Sequence, residues 1–443
     1  MIHVEKLLLK NITEPRFQHQ YQNSLGHTFV EYLSGVTLES DDHYNKFPWI
    51  YKNNNLAKHI NIHLPKQLNN ISIGKYFGKV GIELDQLLLS PPNIDNLVIE
   101  IPIYYLNIIP TKRLKFLLET HVVLLNDFQE FGCTYGIFAP HIVSFLTESN
   151  IMPKCLFLVG AGFQLNSEYK KLNLYTIPFE YWLLSSVAVQ DFFLNAVVDT
   201  DHKNTLMLEL YHQPKKNKYV CAVPTLKPRR HRIELLSHLD KIGILNQCDW
   251  SCALNQSKRF NNYVSTPNQS SNKVSSFTDE EINFINSYSF PKELEFNEQW
   301  QLKESPYSAI PTMTAVDWFN QYKFILASET YVGNEINPLL GGCGQLSEKT
   351  FKSFLYGSSV IVHGAKGSTE ELSKLGFKTQ FGNYDSSSVS EIGDILMEVY
   401  KNPVVDTELT VHNFDRITDL HFLTSLVATP LNKIADLINS IRR

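Results

Sequence analysis

Cysteine is scarce in this chain, with six among 443 residues (Cys133, Cys155, Cys221, Cys248, Cys252 and Cys343). That is too few to build a disulfide scaffold of this size. Cys248 and Cys252 stand four apart, but no second Cys or His pair sits nearby at zinc-ligand spacing, so idle buried thiols are the better reading. Long apolar runs are missing too. None approaches the ~20 residues that a membrane span requires, and Lys10, Asn11 and Glu14 interrupt the only N-terminal stretch that could resemble a leader. The reading is therefore a soluble, cytoplasmic chain. Positive charge is not in excess: 40 Lys and Arg stand against 45 Asp and Glu, a net charge of -5. This balance argues against bulk binding to a phosphate backbone while leaving room for a local pocket that takes a small anion. No repeat of fixed period is visible.

What is present is an ordinary apolar fraction of 43%, enough for sizeable cores. At this length two or three domains are expected. Strand-like and helix-like runs alternate through the first half. Asn96 to Tyr104, His121 to Asn126, Cys155 to Val159 and Leu174 to Pro178 read as strands, with helical runs from Pro110 and from His141 between them and another from Glu180 to Leu194. Strand–helix alternation with short polar connections is the pattern of a parallel sheet covered by helices. From Asp199 to Lys218 the composition turns polar and charged, which suggests an interdomain linker.

The pattern then restarts with a strand from Tyr219 to Val223 and an amphipathic helix from His231 to Ile242, stopped by Gly243. Strands follow at Phe324 to Ala327 and at Val360 to Val362. Ser368-Thr-Glu-Glu371 reads as a capping box for a helix that ends before Gly376. The expected fold class is α/β, with two Rossmann-like domains facing across a cleft. An N-terminal domain would span residues 1–205 and a C-terminal one 206–443, with a flexible Ser/Asn-rich insertion at 255–276.

Three features carry possible chemistry. Thr225-Leu-Lys-Pro-Arg-Arg-His-Arg232 follows a strand and opens a helix. Cations there oppose the helix dipole, and a bound anion would resolve the conflict; a solvated basic loop is the plain alternative. Tyr322-Lys-Phe-Ile-Leu-Ala-Ser-Glu329 is an apolar strand ending in a carboxylate, on the side of a parallel sheet where ligands bind. Ser347-Glu348-Lys349-Thr-Phe-Lys352 starts a helix whose carboxylate can bind ribose hydroxyls and whose ammonium groups can neutralise a diphosphate.

The order and spacing of these pieces resemble the α-1,3-fucosyltransferase family of glycosyltransferases. That family has a Lys-rich opening strand followed by an Arg and a helix, then a strand like Tyr-Lys-Phe-x-Leu-x-Phe-Glu-Asn. A Thr-Glu-Lys helix then leads into a Pro-Val-x-x-Gly strand. The matching pieces here are Lys216-Asn-Lys-Tyr219 with Arg232, Tyr322 to Glu329, Ser347-Glu348-Lys349, and Val360-Ile-Val-His-Gly364, within roughly 215–384. The segment from Gly364 to Thr379 is similar to that of phage and bacterial relatives of unassigned acceptor. Thr330 stands where the family has Asn, Ser347 where it has Thr, and Ser359-Val360 where it has Pro-Val.

The resemblance implies a GT-B fold and an inverting transfer from a nucleotide-diphosphate sugar, GDP-linked as first guess, to a hydroxyl of a glycan or other acceptor. It implies no metal or other cofactor. Arg232 and Lys349 would hold the diphosphate, with Arg229, Arg230 and Lys352 as further cations; Glu348 would hold the ribose and Glu329 the sugar. The acceptor's proton needs a carboxylate base. Glu130, with Asp127 behind it, follows the strand His121 to Asn126 and is the candidate in the first domain, although helix capping explains either acid singly.

Other readings stay open. The chain could be a non-catalytic glycan- or nucleotide-binding protein, or a viral transferase acting on a DNA nucleobase, the one role in which nucleic acid would be a partner. Asp199-Thr-Asp201 could hold a divalent cation, as in metal-dependent sugar transferases of another fold. His59 and His63 lack a third ligand, and Gly160-Ala-Gly162 lacks the third glycine of a dinucleotide fingerprint.

Overall fold

The structure is a computed structural model that describes residues 2–6, 71–73, 97–102, 122–127, 156–160, 175–178, 199–212, 221–225, 230–252, 277–290, 319–329 and 346–423, with isolated positions besides. The chain divides into two compact units, residues 1–194 with 419–443 and residues 195–418.

The first unit contributes a six-stranded sheet of β1 (Ile2–Lys6), β2 (Ile71–Ile73), β3 (Leu97–Pro102), β4 (Val122–Asp127), β5 (Leu156–Gly160) and β6 (Tyr175–Pro178). The order is β2-β1-β3-β4-β5-β6, and every neighbouring pair is parallel. β3 to β6 coincide with strand-like runs expected from the sequence. β1 and β2 do not stand out in the sequence, because β1 carries Glu5 and Lys6 and β2 is three residues long.

The second unit repeats the plan with β7 (Cys221–Thr225), β8 (Asp249–Cys252), β9 (Phe324–Ser328) and β10 (Ser359–His363), parallel throughout, in the order β10-β9-β7-β8. In both sheets the first strand lies inside and the chain steps outward on either side of it, the 2-1-3-4 order of a doubly wound sheet. All five residues of β9 and of β10 are buried, as strands covered on both faces must be.

Among the described residues the helices of this unit are α1 (Thr200–His212), α2 (Arg230–Lys241), α3 (Asp279–Ser287), α4 (Glu348–Leu355), α5 (Ser368–Lys374), α6 (Val389–Lys401) and α7 (Thr407–Ile417). On one face of the sheet Phe324, Leu326 and Ile361 join Leu235, Leu236 and Leu239 of α2, Phe284 of α3 and Ile392 and Leu396 of α6 in one core. Trp250 is the largest side chain in it, edge-on to Tyr288 at 5.1 Å between ring centres. Side chains alternate along a strand, so Ile325, Ala327, Val360 and Val362 point to the opposite face. There α4 packs on β9 and β10, and its Phe354 stacks on Phe377 at 4.7 Å.

Two sequence expectations need correction. The polar stretch taken for a linker from Asp199 is helical as α1, and the domain boundary placed at 205/206 falls inside that helix; the last 25 residues group with the first unit. Leu206 and Leu210 are buried, and the Tyr211 hydroxyl donates to the Thr410 carbonyl at 2.9 Å, which ties α1 to α7 within the second unit. Charged residues hid this helix because only one narrow stripe of it is apolar. The Ser368 capping box does not form either: Gly367, at φ 89°, is the N-cap residue of α5, and the Ser368 hydroxyl donates to the Ala365 carbonyl. No helix among the described residues is long and apolar enough to cross a membrane. Residues 255–276 lie outside the described residues.

Candidate functional site

In a doubly wound sheet the ligand crevice opens at the carboxyl ends of the strands, where the strand order reverses. In the second unit that point lies between β7 and β9. Their ladder is short: only Cys221 with Phe324 and Ala222 with Ile325 are in register. β7 stays paired with β8 as far as Thr225, and β9 with β10 as far as Ser328. The two inner strands therefore part over their last residues, leaving main-chain carbonyls of β9 without strand partners.

The first turn of α2 fills this gap. Arg232, 3% exposed, donates from Nη2 to the carbonyls of Ser328 at 3.0 Å and Glu329 at 3.2 Å, and Nε2 of buried His231 donates to the Glu329 carbonyl at 3.0 Å. A helix start carrying Arg230, His231 and Arg232 with no acid in its first turn is electrostatically unfavourable alone. The strand carbonyls left without strand partners offset part of that cost, and a positive charge is thereby held at the switch point.

On the same face His363 closes β10. It is fully buried, its Nδ1 lies 3.0 Å from the Ser328 hydroxyl, and its ring meets His231 edge-on at 5.6 Å. Burial, and secondarily the Arg232 guanidinium, push its pKa down to about 3, so the imidazole is neutral at physiological pH. Nε2 of His363 has no hydrogen-bond partner among the described residues.

On the opposite face Glu329, wholly buried, reaches α4. Its Oε1 accepts from the backbone N–H of Ser347 at 2.9 Å and from the Thr350 hydroxyl at 2.5 Å, while Oε2 has no hydrogen-bond partner among the described residues. Ser347 is the N-cap of α4 and accepts from the backbone N–H of Lys349 at 3.3 Å. The Lys349 ammonium lies 3.2 Å from the same hydroxyl. Glu348 opens the helix, and half-buried Lys352 follows Lys349 one turn on. Gly364, just past β10, gives Glu329 its room: a Cβ there would stand 2.9 Å from the Ser368 hydroxyl and 3.3 Å from the Glu329 Cγ.

The residues singled out from the sequence thus have different surroundings. Arg232, Glu329 and the Ser347–Lys349 turn converge on the end of β9. Arg230 instead reaches α3, pairing with Glu281 at 3.3 Å and lying over the Phe277 ring at 5.8 Å. Glu281 is itself committed, because its Oε2 accepts from the Thr278 N–H in the capping box of α3. Arg229 and Glu130 lie outside the described residues. Asp127 is the last residue of β4, in register with Gly160, at the carboxyl end of the first sheet.

Asp199 caps α1, its Oδ1 accepting from the N–H groups of Asp201 at 2.9 Å and His202 at 3.1 Å, so the Asp-Thr-Asp pattern has a local structural use. Among the described residues no group of three His, Cys, Asp or Glu comes together as a metal site, and Cys248 and Cys252 are buried free thiols. Sequence reasoning missed His231, Ser328, Thr350 and His363. For Ser328 and His363 the available signal was a polar residue ending a predominantly apolar strand. No protein-family model matches the chain, and neither a curated protein nor a solved structure does.

Proposed function

We propose that this chain is a cytoplasmic glycosyltransferase of GT-B type that moves a sugar from a nucleotide diphosphate, GDP-linked as first candidate, to an acceptor hydroxyl with inversion and without a divalent metal. One observation supports this most: the parted ends of β7 and β9 lie between the cationic first turn of α2 and the Lys349-bearing first turn of α4. This is the place where an open α/β sheet takes a nucleotide, and a helix N-terminus with an ammonium suits a diphosphate.

In this reading Lys349 and the first-turn N–H groups of α4 take the diphosphate, with Lys352 one turn behind, and Glu348 takes the ribose hydroxyls. Arg232 adds positive potential from inside the sheet. Charge grows on the diphosphate as the bond to the anomeric carbon breaks, so cations fixed in advance lower the barrier. The acceptor hydroxyl attacks from the opposite face of the sugar and gives its proton to a carboxylate, for which Glu130 and Asp127 are the candidates.

The test is a melting-temperature panel of nucleoside diphosphates and their sugar conjugates in the presence of EDTA. Saturation to 100 times Kd stabilises the native state by about 2.7 kcal/mol. The expected result is stabilisation by one nucleotide class that Lys349→Ala abolishes in a folded protein. No stabilisation at millimolar concentration by any of them, or an undiminished shift in the variant, would overturn the assignment. Release of free nucleoside diphosphate in the presence of a glycan acceptor then distinguishes a transferase from a binding protein.

A further inference from the structure

We propose that Glu329 is a positioning residue rather than a ligand for the donor sugar: its carboxylate, with Thr350 and the space left by Gly364, fixes the first turn of α4 so that Lys349 meets the diphosphate. This rests on the reading of α4 as the nucleotide-binding turn, and it differs from the role that the family resemblance implies for this carboxylate.

Three observations carry it. Oε1 of Glu329 is occupied twice from α4, by the Ser347 N–H and the Thr350 hydroxyl. These two groups flank Glu348 and Lys349, so one carboxylate oxygen clamps both sides of the turn that bears the proposed ligand groups. The side chain is 0% exposed, and a Cβ at Gly364, just past β10, would stand 3.3 Å from its Cγ. Glu329 therefore lies beneath α4 rather than beside a ligand. A buried acceptor serving a helix N-terminus also satisfies an N–H group that the helix itself leaves unpaired. Without the clamp the turn samples other arrangements, and apparent affinity falls with the population of the competent one.

The substitutions Glu329→Gln, Glu329→Ala, Thr350→Val and Lys349→Ala are compared in the full chain, with GDP as the probe and calorimetry as the affinity measurement. Glutamine retains an acceptor at the Oε1 position and places its amide nitrogen where Oε2 has no partner among the described residues. Glu329→Gln is expected to bind GDP within about threefold of wild type, whereas Glu329→Ala and Thr350→Val weaken it about tenfold, the scale of one charge-assisted hydrogen bond. Hydrogen exchange at the amides of 347–350 should quicken in the latter two and not in Glu329→Gln. Tyr384→Phe, which removes the hydroxyl bonded to the Val362 main chain of β10, controls for general destabilisation and should leave GDP affinity unchanged.

Equal loss in Glu329→Gln and Glu329→Ala would show that the carboxylate itself serves the ligand and would overturn positioning. Wild-type affinity in Glu329→Ala and Thr350→Val, with Lys349→Ala impaired, would overturn it as well. Undiminished GDP binding in Lys349→Ala, or none in the wild type, would instead remove the nucleotide-binding reading and the inference with it.

Discussion

Acidification should weaken the second unit through one residue, His363. An unfolded histidine gains a proton below its ordinary value of 6.5, whereas the folded protein keeps His363 neutral down to about 3, through burial first and the Arg232 charge second. Between those two values the unfolded state binds more protons, so stability rises with pH and is lost as pH falls from 6.5 toward 3. At about 1.4 kcal/mol per unit the full effect approaches 5 kcal/mol, and from pH 7 to pH 5 it is about 2 kcal/mol. His363→Gln removes the titration and retains a side chain able to bond the Ser328 hydroxyl. Hydrogen exchange of the β9 and β10 amides, corrected for intrinsic rates, reads the opening free energy of this sheet at both pH values. Every other titrating group is common to the two proteins, so the wild type should lose about 2 kcal/mol more than the variant. Equal losses in the two would show that His363 is not held neutral in the fold, and the argument from burial beside Arg232 would fail.

Two further outcomes follow from close contacts. The Tyr384 hydroxyl, its pKa raised by burial, accepts from the Val362 N–H at 2.6 Å and donates to the Val362 carbonyl at 3.2 Å, closing the free edge of β10. Tyr384→Phe should cost about 1–3 kcal/mol by leaving these main-chain groups without a partner, and a drop in melting temperature checks it. Gly376 ends α5 at φ 88°, and a Cβ there would stand 2.7 Å from the Arg416 Nε that donates to the Leu375 carbonyl. Gly376→Ala should therefore destabilise by more than the ~1 kcal/mol usual for such a turn glycine. An unchanged urea midpoint would refute that packing.

The elements that stood out in the sequence share a physical property. β3, β4, β5, β9 and β10 are short runs dominated by Val, Ile, Leu and Phe, the composition expected of parallel strands covered on both faces. α2 and its stop at Gly243, with φ 77°, were equally visible, since an amphipathic period and a left-handed glycine are local requirements. The strand expected at Tyr219 to Val223 is β7 at Cys221–Thr225. Pro224 and the lysines before Tyr219 give no local mark of where pairing with β8 begins, because the partner decides it.

Within the candidate site, the residue types and their places at strand ends and helix starts were legible, since ligand-side positions in a parallel sheet follow from chain order. Which way each side chain turns was not. Arg230 and Arg232 are two apart on one helix, yet one pairs with Glu281 of α3 and the other is drawn in to the carbonyls of β9. Ser328 and Glu329 are adjacent, yet strand alternation sends one to His363 and the other to α4. Composition, periodicity and glycine conformation are properties of short segments, so this chain declares its alternating α/β character without its fold. Strand order, the parting of β7 from β9 and the partners of each buried charge depend on segments tens of residues apart meeting in space. There the need to satisfy buried carbonyls and carboxylates selects one arrangement.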